Sequence, residues 1–144
     1  MSVEENKAIA RRFIEKVWHQ KNLAVIDEIF ATDYVYHMAG MPDIRGPEGF
    51  KQMVAMYLTA FTNIQWTIED LIAEGDMVAI RLTFRGTHQG ELMGIPPTGK
   101  QVTVTGIGIQ RIADGKFQET WDSFDMLGLL QQLGVVPPMG QSKE

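Results

Sequence analysis

The sequence predicts an α+β fold, with helices packed on one face of an antiparallel sheet. Apolar residues recur with a helical period as far as residue 61, and a period of two takes over from residue 64. Helices followed by a run of hairpin strands are typical of α+β proteins, whereas α/β proteins alternate the two. The 144 residues show no internal repeat and no low-complexity linker, so we expect one domain, residues 1–136, followed by a tail at residues 137–144.

Three helices and a short strand are predicted in the first half. Ser2 and Glu5 have the spacing of a capping box, and the helix that they open carries apolar inner-face residues at Ile9, Phe13 and Val17. A short second helix follows residue 22, and the aromatic, β-branched run DYVYH at residues 33–37 predicts a strand. Pro47 suits the first turn of a third helix.

Four strands and a terminal helix are predicted in the second half. Apolar and polar residues alternate over residues 64–68 and 78–84, on either side of the turn AEGDM. After a long loop, strands at residues 102–112 and 117–124 flank the turn ADGK. A short helix over residues 126–133 completes the domain.

The composition argues against several classes of function. A net charge of -5 without clustered Lys and Arg argues against nucleic-acid binding. The absence of cysteine removes disulfides, zinc–thiolate sites and cysteine nucleophiles. The charged N-terminus does not fit a signal peptide and no apolar run is long enough to span a bilayer, so we expect a soluble cytoplasmic protein without a membrane partner.

Two glycine-containing motifs fail as nucleotide sites. GIPPTGKQ, residues 94–101, has the glycine and lysine spacing of a phosphate-binding loop, but its two prolines lack backbone N–H groups and a strand follows where that loop requires a helix. GIGIQR, residues 106–111, lacks the third glycine of a dinucleotide fingerprint and lies within a strand, where glycine more often marks a bulge or a close backbone approach. The three histidines do not have the spacing of a metal site.

The stretch WDSFD contains two candidate functional carboxylates. Alternation along residues 117–124 places Trp121 and, at the strand end, Asp125 on one face, with Asp122 on the other. Asp125 directly precedes the terminal helix, where aspartate is a favourable N-cap. Asp125 is therefore a structural cap, a catalytic acid/base at the mouth of a cavity, or both.

Two histidines are candidates for hydrogen bonding or proton transfer. His88 continues the apolar parity of residues 78–84 and lies where that face meets a long loop, and His37 ends the DYVYH run. A lone histidine in such a place is more often a structural hydrogen-bonding residue, although the ordinary imidazole pKa of about 6.5 suits proton transfer. His19 lies at a helix C-terminus and is expected at the surface.

Several segments together resemble the SnoaL-like polyketide cyclases of the nuclear transport factor two-like superfamily. The resemblance covers residues 6–134 and includes NKAIARRFIEKVW, DYVYH and GPEGFKQMVAMYLTAF; its most specific parts are RGTHQGELMGIPPTGK and FDMLGLLQQLG. It implies a cone-shaped barrel, in which a strongly curved, mostly antiparallel sheet packs on the N-terminal helices and encloses an apolar pocket.

The resemblance also implies an enzyme, a polyketide or ester cyclase that closes a ring by intramolecular aldol condensation without metal or organic cofactor. Asp125 matches the family's pocket aspartate and is the expected acid/base, with Asp122 as the fallback if the register is shifted. His88 and His37 are expected to polarise or position the substrate carbonyl. The expected substrate-binding side chains are those of Phe13, Val17, Tyr34, Tyr36, Phe84 and Trp121.

The expected ligand is a small, apolar, carbonyl-containing molecule, and the resemblance implies a homodimer or tetramer formed through the sheet. The alternatives are a non-catalytic small-molecule-binding or dimerisation module, or another enzyme of the superfamily, either an isomerase or an epoxide hydrolase. The hydrolase requires a carboxylate–arginine–carboxylate cluster. Alternation places Arg81 and Arg85 opposite the apolar face, which weakens that alternative.

Overall fold

The computed structural model describes residues 2–138 and 140 and confirms the α+β class. Within that part of the chain there are four α-helices, α1 to α4, at Val3–Arg12, Val25–Ile29, Gly46–Ala60 and Met126–Gln132. A π-helical segment, Phe13–His19, directly extends α1. Six strands, β1 to β6, cover Phe30–Met38, Ile44–Arg45, Phe61–Glu74, Met77–His88, Gln101–Ala113 and Lys116–Phe124.

All six strands form one sheet in the order β2-β1-β6-β5-β4-β3. Neighbouring strands are antiparallel except β1 and β6, which run parallel. Side chains from β1 and from β3 to β6 reach one common cavity, together with side chains from the π-helical segment, α3 and α4. The sheet is therefore curled around the cavity, as predicted, without closing on itself.

A β-bulge in β6 decides which of its side chains face the cavity. The ladder between β5 and β6 skips Gln118, an extra residue that reverses the facing of the side chains beyond it. Phe117 lines the cavity before the bulge, and beyond it the cavity-facing residues of β6 are Thr120, Asp122 and Phe124. Uninterrupted alternation from Phe117 would have turned Trp121 inwards instead.

Aromatic packing joins the helices to the sheet at one wall of the cavity. The ring of Phe30 on β1 stacks on that of Phe117 with centroids 4.5 Å apart, and Phe50 of α3 stacks on Phe30 at 5.0 Å. Phe13, at the start of the π-helical segment, meets Phe30 and Phe117 edge-on at 5.4 and 5.5 Å. Burial of one such ring contributes about 1.5–3 kcal/mol, so this wall belongs to the stable core.

The predicted tail lies partly outside the described residues, at position 139 and positions 141–144. The last helix, α4, ends at Gln132, and the domain boundary at residue 136 stays a prediction. Among the helices of the described residues, none has the length and apolar character needed to cross a membrane.

Candidate active site

A cavity between the sheet and the helices is the candidate site. The cavity between its lining side chains has a volume of about 90 Å³. One water needs about 10–15 Å³ on the same measure, so the cavity has room for several waters or part of a small ligand. Phe13, Tyr34, Tyr36 and Phe84 lie in the wall, whereas Val17 is fully buried in the core and does not line it.

Asp122 is the one carboxylate in the described cavity wall. It lies on β6 opposite Gly108 of β5, and the hydroxyl of Tyr36 on β1 donates a hydrogen bond to its Oδ2 over 2.8 Å. Burial raises the pKa of Asp122 to about 7, and the Tyr36 hydrogen bond, which favours the charged form, only partly offsets this effect. Both protonation states are therefore populated near neutral pH.

Two glycines of β5 make room for the cavity-facing side chains of β6. A Cβ atom on Gly108 would overlap Oδ1 of Asp122, and one on Gly106 would overlap the ring of Phe124. These are the two glycines of the GIGIQR stretch, and they allow close approach of neighbouring side chains. The carboxylate of Asp122 therefore lies over a strand position that only glycine fills without displacing it.

Two tyrosines of β1 bring hydroxyl groups to the same wall. Burial raises the pKa of Tyr34 and of Tyr36 far above the ordinary value, and the charge of Asp122 raises both further. Both hydroxyls therefore stay protonated at neutral pH. Thr120 of β6 also lies in this wall. The wall thus holds a hydrogen-bonded pair, Asp122 and Tyr36, and the further polar side chains of Tyr34 and Thr120.

Asp125 does not lie in the cavity, so the expectation that it faces the pocket is wrong. It is exposed and caps α4, with its Oδ1 accepting a hydrogen bond from the Gly128 backbone N–H over 2.8 Å. Trp121, expected to line the pocket beside it, is 39% exposed and absent from the described cavity wall. The bulge at Gln118 is the physical reason, because it turns Asp122 inwards and Trp121 outwards.

The two candidate histidines do not line the described cavity either. His88 is fully buried, and its Nδ1 accepts a hydrogen bond from the Thr98 backbone N–H over 3.2 Å. The ring nitrogens of His37 contact Asp43 Oδ1 at 2.8 Å and Glu119 Oε2 at 2.6 Å. Both rings hold hydrogen bonds within the fold, so neither is positioned to polarise a carbonyl in this cavity.

Gln110 and Thr120 also line the cavity, although neither was among the expected binding residues. Gln110 shares the parity of the buried residues of β5, including Val102, Val104 and Ile112. The sequence itself marks Gln110 as unusual, because a polar residue occupies one of the alternating positions that are otherwise apolar. Thr120 carries no such signal, because only the bulge turns it inwards.

The cavity combines a carboxyl of near-neutral pKa with hydroxyl donors and a largely aromatic wall. Such a carboxyl takes up and returns a proton at neutral pH, and apolar surroundings exclude water from a reactive intermediate. Within the residues described, no three His, Asp or Glu side chains gather as a metal-ion site. The arrangement suits general acid–base chemistry on an apolar molecule.

Comparison with known proteins assigns the family. The family model for SnoaL-like polyketide cyclase matches residues 8–133. Aklanonic acid methyl ester cyclase DnrD of Streptomyces peucetius is 37% identical over 95 residues, which make up 65% of this chain and 65% of that protein, so the match spans less than two thirds of that relative. Nogalonic acid methyl ester cyclase of Streptomyces nogalater is 33% identical over 111 residues, 76% of this chain and 83% of that protein.

A solved structure agrees with this assignment. TsrD from Streptomyces laurentii superposes with a TM-score of 0.84 at 28% identity, over 94% of this chain and 99% of that chain. The curled sheet, the enclosed apolar cavity and the family match over most of the chain point to one family. This chain belongs to the SnoaL-like polyketide cyclase family.

Proposed function

We propose that this protein is a cofactor-independent polyketide cyclase that closes a ring by intramolecular aldol chemistry on a small, apolar, carbonyl-containing ester. The observation that carries the proposal is the carboxyl of Asp122, the one carboxylate among the described lining residues, with a pKa of about 7 in a largely aromatic cavity. The names of two relatives, cyclases of aklanonic and nogalonic acid methyl esters, support an ester of that class.

The proposed reaction uses Asp122 first as a base and then as an acid. Its carboxylate removes a proton from the carbon next to a carbonyl, and the resulting enolate carbon attacks a second carbonyl of the same molecule. The new alkoxide takes the proton back from the Asp122 carboxyl, so the product is an isomer of the substrate. A general acid/base works best when its pKa lies near the working pH, and a pKa of about 7 meets that condition.

Tyr36 and Gly108 support Asp122 in this proposal. Tyr36 donates to Oδ2 and fixes the rotation of the carboxyl, while Oδ1 lies over Gly108, where no Cβ atom obstructs it. Oδ1 is therefore the oxygen that we assign to proton transfer. Phe13, Tyr34 and Phe84 remain the proposed substrate-binding residues, because their side chains lie in the cavity wall.

The epoxide hydrolase alternative finds no support in the cavity wall. An epoxide hydrolase of the carboxylate–arginine–carboxylate type lacks its groups here, since the described wall holds one carboxylate and no arginine.

The homo-oligomer stays a proposal. Its support is a set of exposed apolar residues on the sheet, Ile72, Ile107, Ile109 and Trp121. Sedimentation of the purified protein at micromolar concentration tests it, and a monomer would contradict it.

Cyclisation of a methyl ester tests the proposed function. The purified protein is incubated with aklanonic or nogalonic acid methyl ester, and products are followed by chromatography coupled to mass spectrometry. We expect a new peak of unchanged mass, because aldol closure only rearranges atoms. Asp122→Asn should slow its formation about 10²- to 10⁴-fold, whereas Asp125→Asn should stay within a few-fold of wild type. Equal loss in both variants, or no product from wild type, contradicts the proposal.

A further inference from the structure

Gln110 is a buried polar side chain whose hydrogen bonding the described residues do not satisfy. It is 4% exposed and lies in the cavity wall, and its Oε1 has no hydrogen-bond partner among the residues described. Buried side-chain amides are nearly always hydrogen-bonded, because leaving one unpaired in an apolar environment is unfavourable. The carboxamide therefore points to a polar group that enters the cavity from outside the protein.

The other buried polar atoms without a hydrogen-bond partner do not indicate a binding site for a hydroxyl group. Asn6 Oδ1 and His88 Nε2 also lack partners within the described part of the chain, but their residues do not line the cavity. Trp66 Nε1 does belong to the wall, yet an indole offers only a donor. A carboxamide offers both an acceptor and a donor, which matches a hydroxyl group because a hydroxyl also does both.

The position of Gln110 relative to Asp122 follows from the strand register. Gln110 of β5 pairs directly with Thr120 of β6. Asp122 lies two residues beyond Thr120 on the same face, which corresponds to about 7 Å along a strand. The cavity thus has one polar site at Asp122 and Tyr36 and a second about 7 Å away, in otherwise largely aromatic surroundings.

We propose that Gln110 is a specificity-determining residue that binds a hydroxyl group of the ligand about 7 Å from the carbon on which Asp122 acts. Aromatic rings in the wall favour a flat ring system between the two polar sites. The inference rests on the proposed function for the role of Asp122, but the hydroxyl site itself is a matter of binding and is measured without turnover.

Binding of two naphthols tests this site. The probes are 2-naphthol and 2,6-dihydroxynaphthalene, which differ by one hydroxyl at the far end of the ring system. Trp18 and Trp66 line the cavity, so quenching of tryptophan fluorescence reports binding. We expect wild type to bind the diol about five- to tenfold more tightly, the gain from one buried hydrogen bond. In Gln110→Leu the ratio of the two affinities should fall to about one.

A control and a second variant complete the test. Gln101→Leu, which changes an exposed glutamine on the same strand, should keep the wild-type ratio. Gln110→Met serves as the second apolar variant if Gln110→Leu does not fold. A ratio near one in wild type, or an unchanged ratio in the folded Gln110 variant, overturns the inference. An unchanged preference for the diol alongside absent cyclisation would instead refute only the proposed function.

Discussion

Asp122→Asn should change the stability of the protein in a pH-dependent manner. The pKa of Asp122 rises from its ordinary value of 3.8 to about 7 on folding, so the folded state binds more protons than the unfolded state between these two values. The stability of wild type therefore falls as pH rises through this window and levels off above about 7. Asparagine carries no charge to bury, so the variant escapes this loss.

The size of the effect follows from the same two pKa values. Each pH unit between them corresponds to about 1.4 kcal/mol. The cost of ionising Asp122 in the folded protein is then roughly 4 kcal/mol above pH 7, and at pH 5 about 2 kcal/mol of it has accumulated. The stability of Asp122→Asn relative to wild type should therefore increase by roughly 2–3 kcal/mol between pH 5 and pH 8.

Urea unfolding at pH 5, 6, 7 and 8 measures this difference. Asp125→Asn is the matched control, because that residue is exposed and asparagine caps helices as well as aspartate does. Its stability relative to wild type should be the same at every pH. A relative stability of Asp122→Asn that is also constant from pH 5 to pH 8 would show that Asp122 ionises as an ordinary carboxyl, and the reasoning would fail.

Three further outcomes are expected. Asp125→Ala should lose about 1 kcal/mol of stability in urea unfolding while its cyclisation rate stays near that of wild type, since it loses only a helix cap; a large loss of rate would argue against the cap role. Gly108→Ala should slow cyclisation by about a hundredfold, because its Cβ displaces Oδ1 of Asp122, and an unaffected rate would show that this oxygen is not used. His37→Gln should lower the melting temperature more at pH 6 than at pH 9. Hydrogen bonds to Glu119 and Asp43 raise the pKa of His37, so the stabilisation is complete below pH 6.5 and lost as pH rises through the raised value; equal lowering at both pH values would contradict this.

The fold class and the facing of most strands were predictable from the sequence. The alternation at residues 78–84 puts Leu82 and Phe84 in the cavity, and the DYVYH run contributes Tyr34 and Tyr36. In these segments the buried residues keep a period of two, so alternation is sufficient to assign the inner face.

Alternation along the strand could not decide whether Asp122 or Asp125 faces the cavity. Both Asp122 and Asp125 follow an aromatic residue near the strand end, and only the extra residue Gln118 reverses their facing. A bulge of this kind arises from the pairing of two strands, so it leaves no signature in one strand alone. The glycines opposite, Gly106 and Gly108, are the one local sign that side chains of β6 turn towards β5.

The histidines illustrate a second limit. Alternation correctly predicts that His88 faces inwards, next to the long loop. The backbone N–H of Thr98, in that loop, donates a hydrogen bond to the ring of His88. A buried histidine that satisfies a loop and one that serves a substrate have the same sequence pattern, because the difference lies in which neighbour the fold brings to the ring. For His37 the neighbours are Asp43, six residues further along the chain, and Glu119, 82 residues further.

The pKa of Asp122 itself is the quantity on which both its proposed role and its effect on stability depend. The ¹³C chemical shift of its carboxyl carbon, followed from pH 4 to pH 9 in the ligand-free protein and assigned by its loss in Asp122→Asn, measures it without a substrate. We expect a single titration with a midpoint of about 7. A midpoint of about 4, the ordinary range of an exposed aspartate, would contradict the assignment of Asp122 as the acid/base.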